Sequence, residues 1–375
     1  MLSPVLAQQI AGETTEAIGY HVMITDAAGL VIGSGDTSRV GSFHEASLEV
    51  IRTRESAWHT PEQARLLSGV RPGITLPLLI GDEAVGTVGI TGSPRQVRRF
   101  GLVVRRQTEI LLQESMMLRT RMLRERALED LVAEVAAFDP ELVDEELLVA
   151  TARDLGFTLL QPRVALLLEV EDAPIGPEML RSIRTVFNHH EDIVALRSAT
   201  RCLVLGHHGT RPGAAFAVEA GRLIESLSER FAVTVRVAIG ESSATTGQMR
   251  ASCQDAEDAL RLGTRVTPEK HILTIRDLRA HQALAGVPNR DRERFCHAEL
   301  DAVVDAADRM ELERTVVAWC ENGFNLVAAA RALHIHRNTL IYRLDKIGDL
   351  TNRPWRDHRA MLSLYIACLT RQLES

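Results

Sequence analysis

Between Ile335 and Ile347 the chain reads IHRNTLIYRLDKI, and these side chains can read a nucleic acid. Asn bonds the adenine edge bidentately and Arg the guanine edge, while Lys and Tyr reach phosphate oxygens. At about 100° per residue on a helix, Leu340, Leu344 and Ile347 fall within about 60° of one another as an inward stripe. The opposite arc carries Asn338, Tyr342, Asp345 and Lys346, with Thr339 and Arg343 on its flanks and His336-Arg337 at its start. Upstream, Asn325 can cap a short helix from Leu326 to about Leu333, and Ala328–Ala330 would let that helix approach the next closely. Two short helices about the turn His334-Ile335-His336 make a helix-turn-helix, whose second helix enters the major groove with its first residues at the base edges. The plainer alternative is a helical hairpin with a solvated polar face, and Asp345 favours it. The His336–Thr339 cluster and local charge favour DNA: Glu313 to Ser375 holds nine Lys/Arg against six acids, +3 on a chain of net −7.

A second set of capable residues lies near the start. Gly33-Ser34-Gly35-Asp36 is followed by Arg39, Gly41 and His44, then by Arg71, Gly73 and the pair Thr91-Gly92. A hydroxy-carboxylate is bound by guanidinium forks, by N–H-rich turns and by hydroxyl partners. Arg39 and Arg71 suit carboxylates. Ser34, His44 and Thr91 suit hydroxyls, and Gly35, Gly73 and Gly92 offer backbone N–H groups. The alternative is that the glycines serve turns and the arginines are solvated, as single arginines usually are.

Other chemistries lack their residues. Gly33–Gly41 does not have GxGxxG spacing and no Walker A sequence is present, so phosphate loops have no support. His189-His190 and His207-His208 are adjacent pairs, which on a strand point to opposite sides, a poor metal geometry. The central hairpin turns through Ser198-Ala199-Thr200, with no carboxylate for Mg²⁺. No nucleophile elbow precedes a Ser/His/Asp order. Neither an enzyme, a cofactor nor a metal is expected. Five scattered cysteines without CxxC argue for reduced thiols. Disorder is excluded by a 45% hydrophobic content in 375 residues. With no apolar run near 18 residues and no visible signal peptide, the expectation is a soluble cytoplasmic protein that meets no membrane.

The elements that must position these groups follow from periodicity. Residues 2–18 read as an amphipathic helix. Strands at 20–25 and 30–35 form a hairpin, 41–54 a helix, and a loop runs through Pro61. A second hairpin pairs 74–80 with 85–91, where Pro77 marks an edge or bulged position. Helix, hairpin, helix, hairpin is the plan of PAS/GAF-like sensors. From about Ser93 to Phe138 strong helix formers dominate, and Val104, Leu111, Leu118 and Met122 recur at near-heptad spacing. That helix either packs on its own domain or dimerises. The middle alternates as βαββαβ (163–170, 177–188, 193–197, 201–206, 213–230, 234–240) with a helix at 245–262, fitting a ferredoxin-like or cyclase-palm sheet. After a linker at 285–290 the chain reads as all helix.

Taken together these residues resemble a known family. "IHRNTLIYRLDKI" is similar to the C-terminal signature of the sugar-diacid (carbohydrate diacid) regulators, within the purine-catabolism-type helix-turn-helix group. The blocks at 25–47, 69–78 and 85–92 resemble that family's diacid-recognition domain in order and spacing. The resemblance spans nearly the whole chain. It implies a DNA-binding transcriptional regulator, generally an activator, responding to aldaric acids or the glycerate made from them, with a degenerate cyclase-like middle. Thr75 departs from the family, which commonly has Asn there. The expected architecture is α/β multidomain: a sensor at 1–95, a linking helix at 96–138, the cyclase-like domain at 139–284 and a DNA-binding domain at 292–375. The expected partners are a small hydroxy-carboxylate effector, a second copy of the chain, and a pseudo-palindromic operator with half-sites about 34 Å apart or multiples of it. The DNA-reading residues would be His336, Arg337, Asn338, Thr339, Tyr342, Arg343 and Lys346. Two rivals remain: a sensor that signals through protein contacts, and an enzyme on hydroxy acids or nucleotides.

Overall fold

A computed structural model describes residues 3–209, 214–304 and 308–374. The first residues of two predicted helices, 2 and 213, lie outside the described residues. The chain divides into two compact units, Met1–Arg124 and Glu125–Ser375.

The first unit opens with α1 (Pro4–Ile18), which Pro4 starts and left-handed Gly19 ends. Then come β1 (Val22–Asp26), β2 (Val31–Ser34), α2 (Glu45–Thr53), β3 (Ala57–His59), α3 (Pro61–Ala64), β4 (Gly73–Ile80) and β5 (Glu83–Thr91). The five strands form one antiparallel sheet in the order β2-β1-β5-β4-β3. Alternation sorts its faces. Val22, Ile24, Leu76, Val88 and Ile90 bury themselves against α1 and the first turns of α4 (Pro94–Ala136). At Gly33 a Cβ would overlap the Ala7 carbonyl, so glycine lets α1 lie directly on β2. On the other face Thr25 stands opposite Thr87, and Thr75 opposite Gly89, with α2 packed over β4 and β5. Pro77 pairs with Thr87, while its outer side lies beyond β3, whose pairing ends at Thr75. That is the edge position its missing N–H requires.

Strand β3 replaces part of the loop expected before Pro61, and α2 starts four residues later than the pattern suggested. The heptad-like stripe of α4 divides as well. Val104 is buried in the sheet's core, whereas Leu118 and Met122 are more than half exposed.

In the second unit, α5 (Glu145–Asp154), β6 (Arg163–Val170), α6 (Pro177–Val186), β7 (Ile193–Leu196), β8 (Arg201–His207), α7 (Ala214–Phe231), β9 (Val235–Ser243), α8 (Thr246–Val266), β10 (Ile272–Thr274) and α9 (Ile275–Ala285) surround a second sheet. Its order is β10-β9-β6-β8-β7, with β10 parallel to β9 and the other neighbours antiparallel. Strand β6 is central and buried on both faces, as its unbroken apolar run suggests. Val164, Leu166 and Leu168 meet α6 and α7, and Ala165 and Leu167 meet a core that includes the end of α4, α5 and α8. The pattern missed β10, a fifth strand.

A three-residue connection leads to α10 (Asn289–Val304), α11 (Arg309–Glu321), α12 (Leu326–Ala332), α13 (Arg337–Thr351) and α14 (His358–Gln372). Their core holds Leu340, Leu344 and Ile347 at 0% exposure, together with the edge-to-face pair Trp319–Trp355 at 5.4 Å. Just past α14, Leu373 is buried in the middle sheet's core, not in that of its own helices. Beside it Arg265 Nη1 donates to the Leu373 carbonyl at 3.3 Å, and His281 Nε2 lies 2.9 Å from Gln372 Oε1. The described part of this end of the chain is therefore fastened to the middle sheet's layer. No helix among the described residues is long and apolar enough to cross a membrane.

Candidate functional site

The helix pair α12–α13 is built as its sequence dictates. The Asn325 side chain accepts from the Val327 and Ala328 N–H groups at 2.9 and 3.0 Å, capping α12. His334 takes a left-handed φ of 55° in the turn. His336 caps α13, its Nδ1 accepting from the Asn338 N–H at 3.2 Å, so that nitrogen is spent on the helix. Arg337, Asn338 and Thr339 are exposed at the first turn, and Tyr342 is 66% exposed one turn on. These five residues, His336 included, are exposed around the start of α13 and the first turn beyond.

Arg343 and Lys346 are placed differently. Arg343 pairs with Glu311, and Lys346 Nζ donates to both Asp308 oxygens at 2.7 and 2.9 Å. The ammonium bond holds the Asp308 carboxyl below its usual range and raises Lys346. Asp345 accepts from Trp355 Nε1 at 2.7 Å. The second half of the outward arc thus braces α13 onto neighbouring segments. Sequence spacing could place these side chains on one arc but could not reveal acids more than 30 residues upstream.

The N-terminal residues gather around α2 and the loops beside it. Ser34 is buried, its backbone exchanging two bonds with the Gln8 side chain and its Oγ accepting from the Asp36 N–H at 3.1 Å. At Gly35 a Cβ would overlap the Thr15 side chain. Arg39 is 9% exposed, and its Nη2 donates to the Gly69 carbonyl. Burial, with Arg71 nearby, lowers its guanidinium pKa. Arg71 pairs with Asp36 at 2.9 Å and remains partly exposed. Gly73 and Thr91 face each other in the β4–β5 ladder, and the Gly92 N–H donates to the Pro72 carbonyl at 2.9 Å.

His44 leads to residues the sequence did not single out. Its Nδ1 lies 2.8 Å from Ser47 Oγ, Ser47 Oγ 2.7 Å from Thr87 Oγ1, and Thr87 Oγ1 2.8 Å from Thr25 Oγ1. All four are nearly or fully buried. Burial pushes the His44 pKa down to about 3, with Arg39 adding to the effect, so the ring is neutral at pH 7. A continuous row of hydroxyls ending on a neutral imidazole, with a buried guanidinium nearby, gathers the kinds of group that hydrogen-bond an oxygen-rich anion. Ser47, Thr87 and Thr25 escaped notice because each fits an ordinary helix or strand pattern and the register alone unites them.

Elsewhere, the Ser198 hydroxyl accepts from the Thr200 and Arg201 N–H groups, closing the central turn. His189, His190 and His207 do not point apart. The His189 ring stacks on His207 at 4.7 Å and lies tilted against His190 at 4.4 Å, because the first two sit in a loop and the third at a strand end. No described group of three His, Cys, Asp or Glu is placed to hold a metal ion.

Comparison with known proteins bears on each part. Residues 2–135 match a family described as putative sugar diacid recognition, residues 139–262 a GGDEF-like domain, and residues 312–370 the PucR C-terminal helix-turn-helix domain. Similarity extends over 96% of the chain to the carbohydrate diacid regulator of Escherichia coli, 29% identical over 96% of that protein. It extends over 98% of the chain to the uncharacterized protein YsfB of Bacillus subtilis, 27% identical over 97% of its length. The purine catabolism regulatory protein of Bacillus subtilis is 27% identical over 32% of this chain and 23% of its own. The exposed helix-turn-helix and its match define the class: the chain is a transcriptional regulator with a PucR-type DNA-binding helix-turn-helix. Within that class its N-terminal match and its similarity over most of its length are to the sugar-diacid regulators, the resemblance its sequence motifs suggest.

Proposed function

We propose that a small hydroxy-carboxylate, a sugar diacid or glycerate, binds the N-terminal domain and controls DNA binding or activation by the C-terminal helices. One observation carries this reading. Arg39 is a buried guanidinium with no carboxylate within ion-pair distance among the described residues, in a domain matched as putative sugar diacid recognition. A buried guanidinium bonded only to a neutral carbonyl, with Asp36 attracting it from beyond ion-pair distance, is costly, and a ligand carboxylate lowers that cost. In this reading Arg39 and Arg71 hold carboxylate, Ser34, His44 and Thr91 meet hydroxyls, and Gly35, Gly73 and Gly92 shape the turns. Arg337 and Asn338 read bases, while His336, Thr339 and Tyr342 contact nearby edges and phosphates. Arg343 and Lys346 reach phosphate only by leaving Glu311 and Asp308.

The working division keeps a PAS/GAF-like sensor (1–95), a linking helix (96–138), a palm-like middle (139–284) and a DNA-binding end (292–375). The sheet plan and the βαββαβ order support these names. Exposed Val103, Ile110, Met117, Leu118 and Met122 on α4 support a homodimer, and in this reading that dimer meets a pseudo-palindromic operator in the cytoplasm. The test is thermal unfolding of the full chain with D-glycerate, glucarate, galactarate, oxalate and unrelated sugars. A midpoint that rises with the concentration of one hydroxy-carboxylate, and no longer does so in Arg39→Gln or Arg71→Ala, is the expected result. A chain that binds DNA but ignores every acid in the panel would be a regulator of some other ligand.

A further inference from the structure

The loop between α3 and β4, residues 65–72, crosses the start of α2 as a strap. Four ties hold it. Ser68 N–H donates to Glu45 Oε2 at 2.7 Å, Glu45 N–H donates to the Ser68 carbonyl at 3.1 Å, Arg71 pairs with Asp36, and Arg39 donates to the Gly69 carbonyl. Gly69 has φ +70°, and a Cβ there would overlap the Phe43 carbonyl oxygen, so the strap lies tightly on the residue before His44. Leu66 on the same strap is 84% exposed, an apolar side chain with nothing over it.

Close to the strap lies the row Thr25–Thr87–Ser47–His44, sealed from water. Asp36 is committed to Arg71 and to Ser38. Around the strap Arg39 and Arg71 face Asp36 and Glu45, but both acids are already engaged, Asp36 as above and Glu45 with the Ser68 N–H. The Gly69 oxygen that accepts from Arg39 is a neutral carbonyl, a weaker partner than a carboxylate, which brings an opposite charge and can accept two parallel N–H bonds from one guanidinium.

We propose that the Gly69 carbonyl stands in for the carboxylate of the effector, and that the strap is the gate of the sensor. A hydroxy-carboxylate takes Arg39 from Gly69, its hydroxyls join the Thr25–Thr87–Ser47–His44 row, and the strap is released. The inference rests on the proposed sensor function and adds to it the residues that line the inner site and the segment that moves.

The experiment is hydrogen–deuterium exchange on the full chain, with D-glycerate as the probe. Amides of 65–71 should exchange faster, by about tenfold, as the probe saturates, while α2 and β5 are protected. Thr87→Val, which removes the central hydroxyl, should raise the half-saturating concentration about tenfold or more, and Thr87→Ser should restore it. Slower or unchanged exchange of the strap at saturation overturns the gate. So does a Thr87→Val chain that folds and saturates at the wild-type concentration. If D-glycerate, glucarate and galactarate all leave the wild-type chain unmoved, the sensor reading itself falls, and the gate with it.

Discussion

Two histidines with similar sequence signals do different work. His336 ends a turn and caps α13 through Nδ1, so its contribution to DNA binding begins with holding the helix start. Its neighbours are free. Replacing Arg337 or Asn338 by Ala should cost about 1–3 kcal/mol on a specific site and little on random DNA, measured by fluorescence anisotropy on both. Equal losses on the two DNAs would remove the base-reading assignment. Lys346→Ala should weaken both DNAs alike, and less than an unpaired phosphate-binding lysine would, since Asp308 already holds the ammonium. His44, by contrast, is buried and neutral, its pKa pushed down to about 3 from an ordinary value near 6.5. The unfolded chain binds the proton first, so the stabilising contribution is complete above about pH 6.5 and is lost as pH falls toward 3. The slope approaches about 1.4 kcal/mol per pH unit inside that window. Melting His44→Gln beside the wild type from pH 7 to 4 should show a flatter pH dependence in the variant; parallel curves would refute the assignment.

At the scale of elements, periodicity made most of the fold legible. The β4–β5 hairpin, the unbroken run of β6 and the inward stripe of α13 each follow from a repeat of two or of 3.6 residues. What escaped was short or distant. Strands β3 and β10 have three residues each, too few for alternation to register, and their existence depends on the neighbour they pair with. The candidate DNA-reading face was legible in its first half because those residues are local. The braces on Arg343 and Lys346, and the hydroxyl row across β1, α2 and β5, were not, because long-range packing makes them. Capping is local again: Asn325→Ala should destabilise the C-terminal helices by about 0.5–2 kcal/mol in a denaturation series, through loss of the two bonds to Val327 and Ala328. Gly at the same position should cost only a few tenths.

For the second unit as a whole, the middle sheet and the C-terminal helices share a core residue. Leu373 is 5% exposed among side chains of the middle layer, with Arg265 and His281 holding the backbone and side chain beside it. Leu373→Asp should therefore loosen the attachment by more than about 2 kcal/mol, since the carboxylate must be buried or the contact given up. Limited proteolysis reads this directly, as faster cleavage at residues 286–288 while the middle sheet stays intact. Unchanged cleavage would show that α10 alone fixes the helices in place. Helix α4 is 43 residues long, and the boundary between the two compact units, after Arg124, falls within it. Any graft of a foreign sensor onto this chain must respect the phase of that helix as well as its length. Seven added residues turn it by nearly two whole revolutions and keep the facing of its downstream half, while two added residues turn it by about 200°. Chimeras joined within residues 113–124 should respond to ligand at insertions of seven and fall silent at two, and equal response at both would show that the phase of α4 carries no signal.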